Sequence, residues 1–586
     1  MLRIIKHMQP KEWLQVALVF MFSVLQVGFD LMVPRYMRHI TIYAQTPGSS
    51  VGQIVTAGGL MLLFALGSLV CVVVVSFFAS KVSAALAMRL RGMVFSKVGD
   101  FSMEEFSRFS TSSLISRSTN DITQIQRFAV SFLRMLLRVP ILAIGGIIGI
   151  ARSGAAWTIA ALIAFGFMLV VVVCTMIMVV PQFQKMQRLV DELNRTLRES
   201  LVGRFVVRAY NAEDYHEEKF ETANNGFTSA DKRTNRAMAV MNPVMSLGTN
   251  GALIAVYVIG ALLISVAGHA QALAVFSGMV VMTFYLNLIF NAIKFIVKVV
   301  PTVPRAAVSA GRVAEILETQ PMLKEGTLTQ GAAGAFGEIE FRDVGFRYPG
   351  ASGNALEGIS FVAKQGQTVA LIGSTGSGKT TLINLVMRFF DATEGEVLVG
   401  GVDVKQYRQQ ALYDKIGYVP QKSVLFKGTI GSNITYGKSG RGGYSPSDIE
   451  KAVQTAQAEE FISKLEEGTG AAVSQRGANF SGGQKQRISM ARAICRQPEI
   501  LIFDDSFSAL DYKTDRELRR ALKTKSSGAT KLIVAQRIGT IMDADQIIVL
   551  DGGKIAGMGT HTQLLSSCRV YKEIAMSQLS GEELVS

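Results

Sequence analysis

Only four of the 586 residues are cysteine, and they stand apart from one another. Cys71, Cys174, Cys495 and Cys568 show no paired spacing, which argues against a disulfide framework or a metal centre built on cysteine. Cys71 and Cys174 fall in apolar runs and Cys495 in a helix-like segment, so buried free thiols are expected. Charge is scarce too: 18% of residues are charged, against 49% hydrophobic. A chain so poor in charge has a part that lives in lipid. The charge it has leans one way, with 60 basic and 45 acidic residues and a formal net charge of +15. No stretch interleaves aromatic and basic residues as a nucleic-acid surface would. The excess is therefore read as the basic cytoplasmic segments of a membrane protein, with no nucleic-acid partner. No cleavable signal is expected, because the run Trp13–Val33 is too long for a signal core and no small-residue cleavage site follows. Internal duplication is lacking as well.

Crossing a hydrocarbon core of roughly 30 Å takes about 20 apolar helical residues. Six segments meet that length, near Trp13–Val33, Ile54–Ala79, Phe128–Ile150, Trp157–Val180, Val244–Val266 and Ala272–Val300. Long polar stretches follow the second and the fourth. The first holds Lys81, Arg89, Arg91, Lys97, Arg108, Arg117 and Arg127; the other is basic from Lys185 to Arg236. Links on the opposite side are short, such as Arg152–Gly154 and Gly268–Gln271, with Arg35 and Arg38 as a local exception. This bias places the long loops and both termini in the cytoplasm. Ala84–Arg91 is rich in helix formers with no breaker before Gly92, so the loops are expected to continue as helices leaving the membrane. In the sixth segment Asn287, Asn291, Lys294 and Lys298 share one helical face. A cavity and a packed interface suit that face equally, and Met279, Met282 and Phe284 are open in the same way.

Pro301 and Pro304 close the sixth segment, Val308–Leu317 reads as a short helix, and Gly331–Ala335 as a small-residue hinge. From Gly337 onward the composition is that of a soluble α/β domain. Val369–Ile372 is a buried-strand run, and Leu382–Phe389 reads as a helix. Between them lie Gly373, Ser374, Thr375, Gly376, Ser377, Gly378, Lys379 and Thr380, with Thr381 next: a phosphate-binding loop in the strand–loop–helix setting that gives the motif weight. Its glycines let backbone N–H groups turn toward phosphate oxygens, Lys379 brings charge to the β/γ-phosphates, and the helix N-terminus adds its dipole. The Thr380 hydroxyl is placed to hold Mg2+, and Asp504, at the end of the apolar run Ile500–Phe503, is the carboxylate expected beside it. ATP and Mg2+ are the cofactors these residues fit.

Three further motifs complete an order: Phe480-Ser481-Gly482-Gly483-Gln484, then Asp505 beside Asp504, then Ala535-Gln536-Arg537. Behind six apolar segments, this order resembles an ABC exporter half-transporter, in particular the degenerate-site subunit of bacterial heterodimeric multidrug exporters. The resemblance implies an α-helical membrane domain of six transmembrane helices with long cytoplasmic extensions, fused to an α/β P-loop ATPase domain. It places the membrane domain at 1–320, a linker at 321–336 and the nucleotide-binding domain at 337–586. Leu114–Asp121 and Glu199–Asn211 look like the family's two intracellular loops, whose short transverse helices would meet the ATPase domains. Tyr348 looks like the adenine-stacking residue, Gln421 like the loop glutamine that touches Mg2+ and the attacking water, and Asp511 like the residue of the D-loop. Ser481, Gly482, Gly483 and Gln484 would serve the nucleotide held by the opposite subunit.

Two positions of the hydrolytic machinery depart from the family. Asp505 stands where Glu usually polarises the attacking water, one methylene short, and such constellations tolerate only about 0.5 Å. Gln536 stands where a switch histidine contacts the γ-phosphate; its amide donates a hydrogen bond but carries no charge. Gln475, in Val473–Gly477, replaces another usual Glu. A positioned base is worth about 10²–10⁴-fold, so the chain's own site is expected to bind ATP and hydrolyse it poorly. The implied activity is ATP-driven export of hydrophobic or amphipathic small molecules across the cell membrane, with a second half-transporter and the lipid bilayer as partners. A lipid translocator and an ATP-gated regulatory subunit that moves no substrate remain alternatives.

Overall fold

The computed structural model describes residues 2–579, apart from 47, 137, 153–154, 267, 300–301 and 439–441. Ser153 and Gly154 of one short link, Val300, Pro301 and the Lys298 side chain lie outside the described residues. The chain divides into two compact units, one of Met1–Asp100 with Ser110–Thr319, the other of Phe101–Phe109 with Gln320–Ser586.

In the first unit, six helices among the described residues are long and apolar enough to cross a membrane. Several far exceed that need. Val51–Gly99 has 49 residues, Ala155–Val202 has 48 and Glu213–Val266 has 54; at about 1.5 Å per residue each is more than twice as long as a hydrocarbon core is thick. The second polar stretch of the sequence is thus largely the outer halves of Ala155–Val202 and Glu213–Val266, and the first begins as the outer half of Val51–Gly99. Ser50 starts the first of the three, its hydroxyl accepting from the Gln53 N–H while the Gln53 side chain accepts from the Ser50 N–H. Gly92 lies inside it and does not end it, since one glycine costs a helix only about 1 kcal/mol.

The third membrane segment is less regular. Two π-helical stretches, Arg117–Asp121 and Phe132–Leu136, interrupt it before the helix Arg138–Ala151. Arg138 sits at the start of that helix and pairs with Asp30 of Pro10–Gln45 at 2.6 Å, while the Ser68 hydroxyl donates to the other Asp30 oxygen at 2.6 Å. Charge at this depth is satisfied by its opposite. Past Arg138 the segment turns to small residues: a Cβ on Gly146 would stand 2.8 Å from Ile289, and one on Gly149 would stand 2.8 Å from the Tyr285 ring. Tyr285 in turn donates to the Leu31 carbonyl at 3.2 Å. Met279 and Met282 are buried in this helical core, whereas Phe284 is exposed. Asn291 shares a cavity of about 280 Å³ with Met135, Arg138 and Phe295, and Asn287 bonds its own helix at the Thr283 carbonyl. One expectation fails here: Cys174 is exposed, not buried. An apolar run in a membrane helix needs no protein cover on its lipid side.

The second unit holds a six-stranded sheet. Its strands run in the order Lys554–Gly559, Gln546–Asp551, Thr368–Gly373, Thr530–Val534, Ile500–Asp504 and Ile416–Val419, all parallel except the first. Ile500–Asp504 and Thr530–Val534 are buried throughout, as central strands covered on both faces must be. The short helix Met103–Arg108 joins this unit through Glu105, which accepts from the Met322 N–H at 3.0 Å. The Gly331–Ala335 stretch is bonded down, with the Ala332 N–H donating to the Gly400 carbonyl at 2.8 Å. A side chain on Gly331 would come within 2.9 Å of that same oxygen, which explains the small residues there.

Candidate nucleotide site

Four neighbouring parallel strands bring the sequence motifs to one edge. Val534 pairs with both Leu371 and Asp504, and Val419 pairs with Phe503. The segments just past these positions, at Gly373, Gln421, Asp505 and Gln536, therefore meet beyond the carboxyl ends of the strands, where open α/β sheets bind ligands.

The helix after the phosphate loop spans Lys379–Val386. It begins three residues before the expected Leu382 and stops short of Phe389, because Arg388 turns the chain with φ near +50°. Gly378 precedes the helix at φ +101°, a conformation that favours glycine. The Lys379 ammonium folds back over the loop, donating to the Gly373 carbonyl at 2.8 Å, the Ser374 carbonyl at 2.7 Å and the Ser377 hydroxyl at 3.2 Å. Burial pushes its pKa down, against the pull of Asp505 and Asp504. The Thr380 hydroxyl donates to Asp504 Oδ1 at 3.3 Å. Burial pushes the Asp504 carboxyl up, opposed by that hydrogen bond, with Asp505 adding to the rise and Lys379 opposing it.

Asp505 has φ +48° and is 8% exposed. Its Oδ2 accepts from Gln536 Nε2 at 2.7 Å and from Gln421 Nε2 at 3.3 Å. Two amides therefore hold the carboxylate that the sequence assigns to water activation. Around these groups lies a cavity of about 860 Å³ lined by Tyr348, Gln421, Asp504, Asp505, Gln536 and every loop residue from Gly373 to Thr381 except Ser377. Ser377 is 2% exposed and sits beneath the loop. Tyr348 lies just past the strand Ile339–Phe346, its hydroxyl 3.0 Å from that of Thr381. The volume is in the range of ligand pockets, about 300–1,000 Å³. The hard oxygen donors of Thr380 and Asp504 suit Mg2+.

The other predicted residues stand elsewhere. Ser481 caps the helix Gly482–Cys495, and its N–H donates to the Gln484 side chain at 2.9 Å. None of Ser481, Gly482, Gly483 and Gln484 lines the cavity. Asp511 likewise caps the helix Tyr512–Lys525 away from it, accepting from the Thr514 N–H at 2.9 Å. Sequence reasoning missed one wall of the cavity, made by Val570, Glu573, Ile574, Ser577 and Gln578 of the helix Arg569–Gln578. No motif marks these residues. The buried Tyr571 and Ala575, four apart, signal a helix but not what its other side faces.

Comparison with known proteins agrees with this architecture. Residues 16–293 match the family model of the ABC transporter transmembrane region, and residues 356–508 match that of the ABC transporter. An uncharacterized ABC transporter ATP-binding protein of Mycobacterium tuberculosis (strain CDC 1551 / Oshkosh) is 35% identical over 574 residues, 98% of this chain and 97% of its own length. An ATP-dependent lipid A-core flippase of Pseudomonas fluorescens (strain Pf0-1) is 32% identical over 499 residues, 85% of this chain and 81% of its own. The solved structure of a bacterial Atm1-family ABC exporter with ATP bound shares the fold, with a TM-score of 0.80 at 24% identity, covering 97% of this chain and 99% of that one. The chain belongs to the ABC transporters, as an exporter half-transporter in which one transmembrane region is fused to one ATP-binding domain.

Proposed function

We propose that this chain is the degenerate-site half of a heterodimeric exporter that moves hydrophobic or amphipathic small molecules out of the cell. The observation that carries the reading is the 2.7 Å bond from the Gln536 amide to Asp505. A longer carboxylate facing an ionisable imidazole is replaced by a shorter one held by a neutral amide. That pair retains a γ-phosphate contact and forfeits much of the base strength that aims water at phosphorus. The backbone of Gly373–Gly378 and Lys379 hold the phosphates, Tyr348 stacks on the base, and Thr380, Gln421 and Asp504 hold Mg2+. Mg2+ held by these oxygen donors would supply charge neutralisation for the phosphates. Ser481–Gln484, exposed or half-buried and outside this chain's own cavity, serve the partner's nucleotide, and Asp511 links the two sites. The membrane domain is taken as 1–320, the linker as 321–336 and the ATPase domain as 337–586, with both termini cytoplasmic at the plasma membrane. A lipid cargo is the second reading, favoured by the flippase relatives and by Arg138 and Asn291 in one cavity of the membrane unit.

The test is ATP turnover by the purified chain, alone and with its partner. The lone chain is expected to turn over slowly and the pair briskly; brisk turnover by the lone chain overturns the heterodimer. Asp505→Glu alone is expected to give a modest gain, because Gln536 remains, and adding Gln536→His a larger one. Full activity from Asp505→Glu would remove Gln536 from the account. Efflux and lipid-flipping assays in vesicles holding both chains separate drug from lipid cargo, and transport of neither would favour a regulatory subunit.

A further inference from the structure

The helix Arg569–Gln578 is seated by Tyr571 and Ala575, both fully buried in the core of the ATPase unit. It forms a wall of the nucleotide cavity. Its last residue reaches the segment that carries Gln536. Gln578 Nε2 donates to the Gln536 carbonyl at 2.8 Å, and Gln578 Oε1 accepts from the Ile538 N–H at 2.8 Å. A primary amide combines the donor and the acceptor that this grip requires. The gripped residue then donates through its own side chain to Asp505 at 2.7 Å. One line of hydrogen bonds thus runs from the C-terminal helix to the carboxylate at the water-activating position.

We infer that Gln578 is a positioning residue for the switch: it fixes the backbone at 536–538 and so sets where the side chain at 536 stands between Asp505 and the γ-phosphate. The inference rests on the proposed reading of Gln536 as the switch position. Seating of the helix is done by Tyr571 and Ala575, while both of these Gln578 bonds go to the switch segment. Because such constellations tolerate only about 0.5 Å, loosening the backbone weakens the transition-state contact more than it weakens ATP binding.

The experiment uses the full chain carrying Asp505→Glu and Gln536→His, in which turnover is expected to be measurable. Adding Gln578→Ala, which removes both bonds, is expected to lower kcat about three- to tenfold, within the net worth of two hydrogen bonds, with KM for ATP unchanged, Tm little changed and faster hydrogen exchange at the Ile538 amide. Gln578→Glu keeps the acceptor for Ile538 but cannot donate to the carbonyl at 536. It should retain Ile538 protection and still lose kcat, and it stands in if the alanine variant misfolds. An unchanged kcat in both variants, or a joint fall of kcat, ATP affinity and Tm, overturns the inference. If the double variant is as slow as the parent, the degenerate-site reading fails instead. The grip is then judged on Ile538 exchange with the ATP analogue ATPγS. Added protection in the parent that is lost in Gln578→Ala supports it, and an equal response in both overturns it.

Discussion

Lys531 is 3% exposed at the start of a central strand, and its ammonium donates to the Ala529 carbonyl at 2.9 Å. Burial pushes its pKa down; Asp545 opposes the shift and Lys523 adds to it. Between that lowered value and the ordinary 10.5, the unfolded chain holds more of this proton than the folded one, so the native protein gains stability as pH rises through that window. Lys531→Met keeps the apolar stem and removes the cost of a buried charge. It is expected to raise stability at neutral pH by about 1 kcal/mol, or roughly 2–4 °C in Tm for a unit of this size. The gain should shrink as pH climbs toward 10.5, in melts of the purified chain, and a gain that grows with pH would refute this account. At this scale the sequence was legible where chemistry demands a fixed spacing, as in the phosphate loop and at Asp504, Asp505 and Gln536. It was silent on Gln578, whose role depends on which segments the fold brings beside it.

Membrane helices are legible as elements because roughly 20 apolar residues in a row have few other uses. How they pack is not, because lipid and protein neighbours both accept an apolar side chain. The ion pair of Asp30 with Arg138 joins residues far apart in sequence, so neither residue reveals its partner. Gly149 is a similar case: it reads as a neutral part of an apolar run, yet it is where the Tyr285 ring lies against the helix. Gly149→Val is expected to push that ring away and break its bond to the Leu31 carbonyl. Overpacking of this kind costs about 1–3 kcal/mol. Tm of the chain should fall and transport should fail while ATP binding persists. Unchanged Tm and transport would show that the helix Arg138–Ala151 can shift to make room.

For the whole molecule, the question is which nucleotide each motif serves. Lys379 belongs to the cavity of its own chain. Ser481 is exposed, lies outside that cavity and caps a helix whose first N–H groups suit an anion. In the proposed heterodimer these are different sites of unequal speed. Ser481→Ala should therefore lower turnover of the assembled pair about 10²-fold, the worth of one donor aimed at transition-state charge, whereas Lys379→Ala should cost only severalfold. Losing the cap costs the helix about 1 kcal/mol, so a structural effect needs its own control. Ser481→Asp restores a good cap and sets a negative charge against the γ-phosphate; it should melt like the parent and turn over as slowly as Ser481→Ala. ATP turnover and Tm of the co-purified pair read all three. Equal losses from Lys379→Ala and Ser481→Ala would mean two equivalent sites, and an active Ser481→Asp would remove the signature from the partner's chemistry.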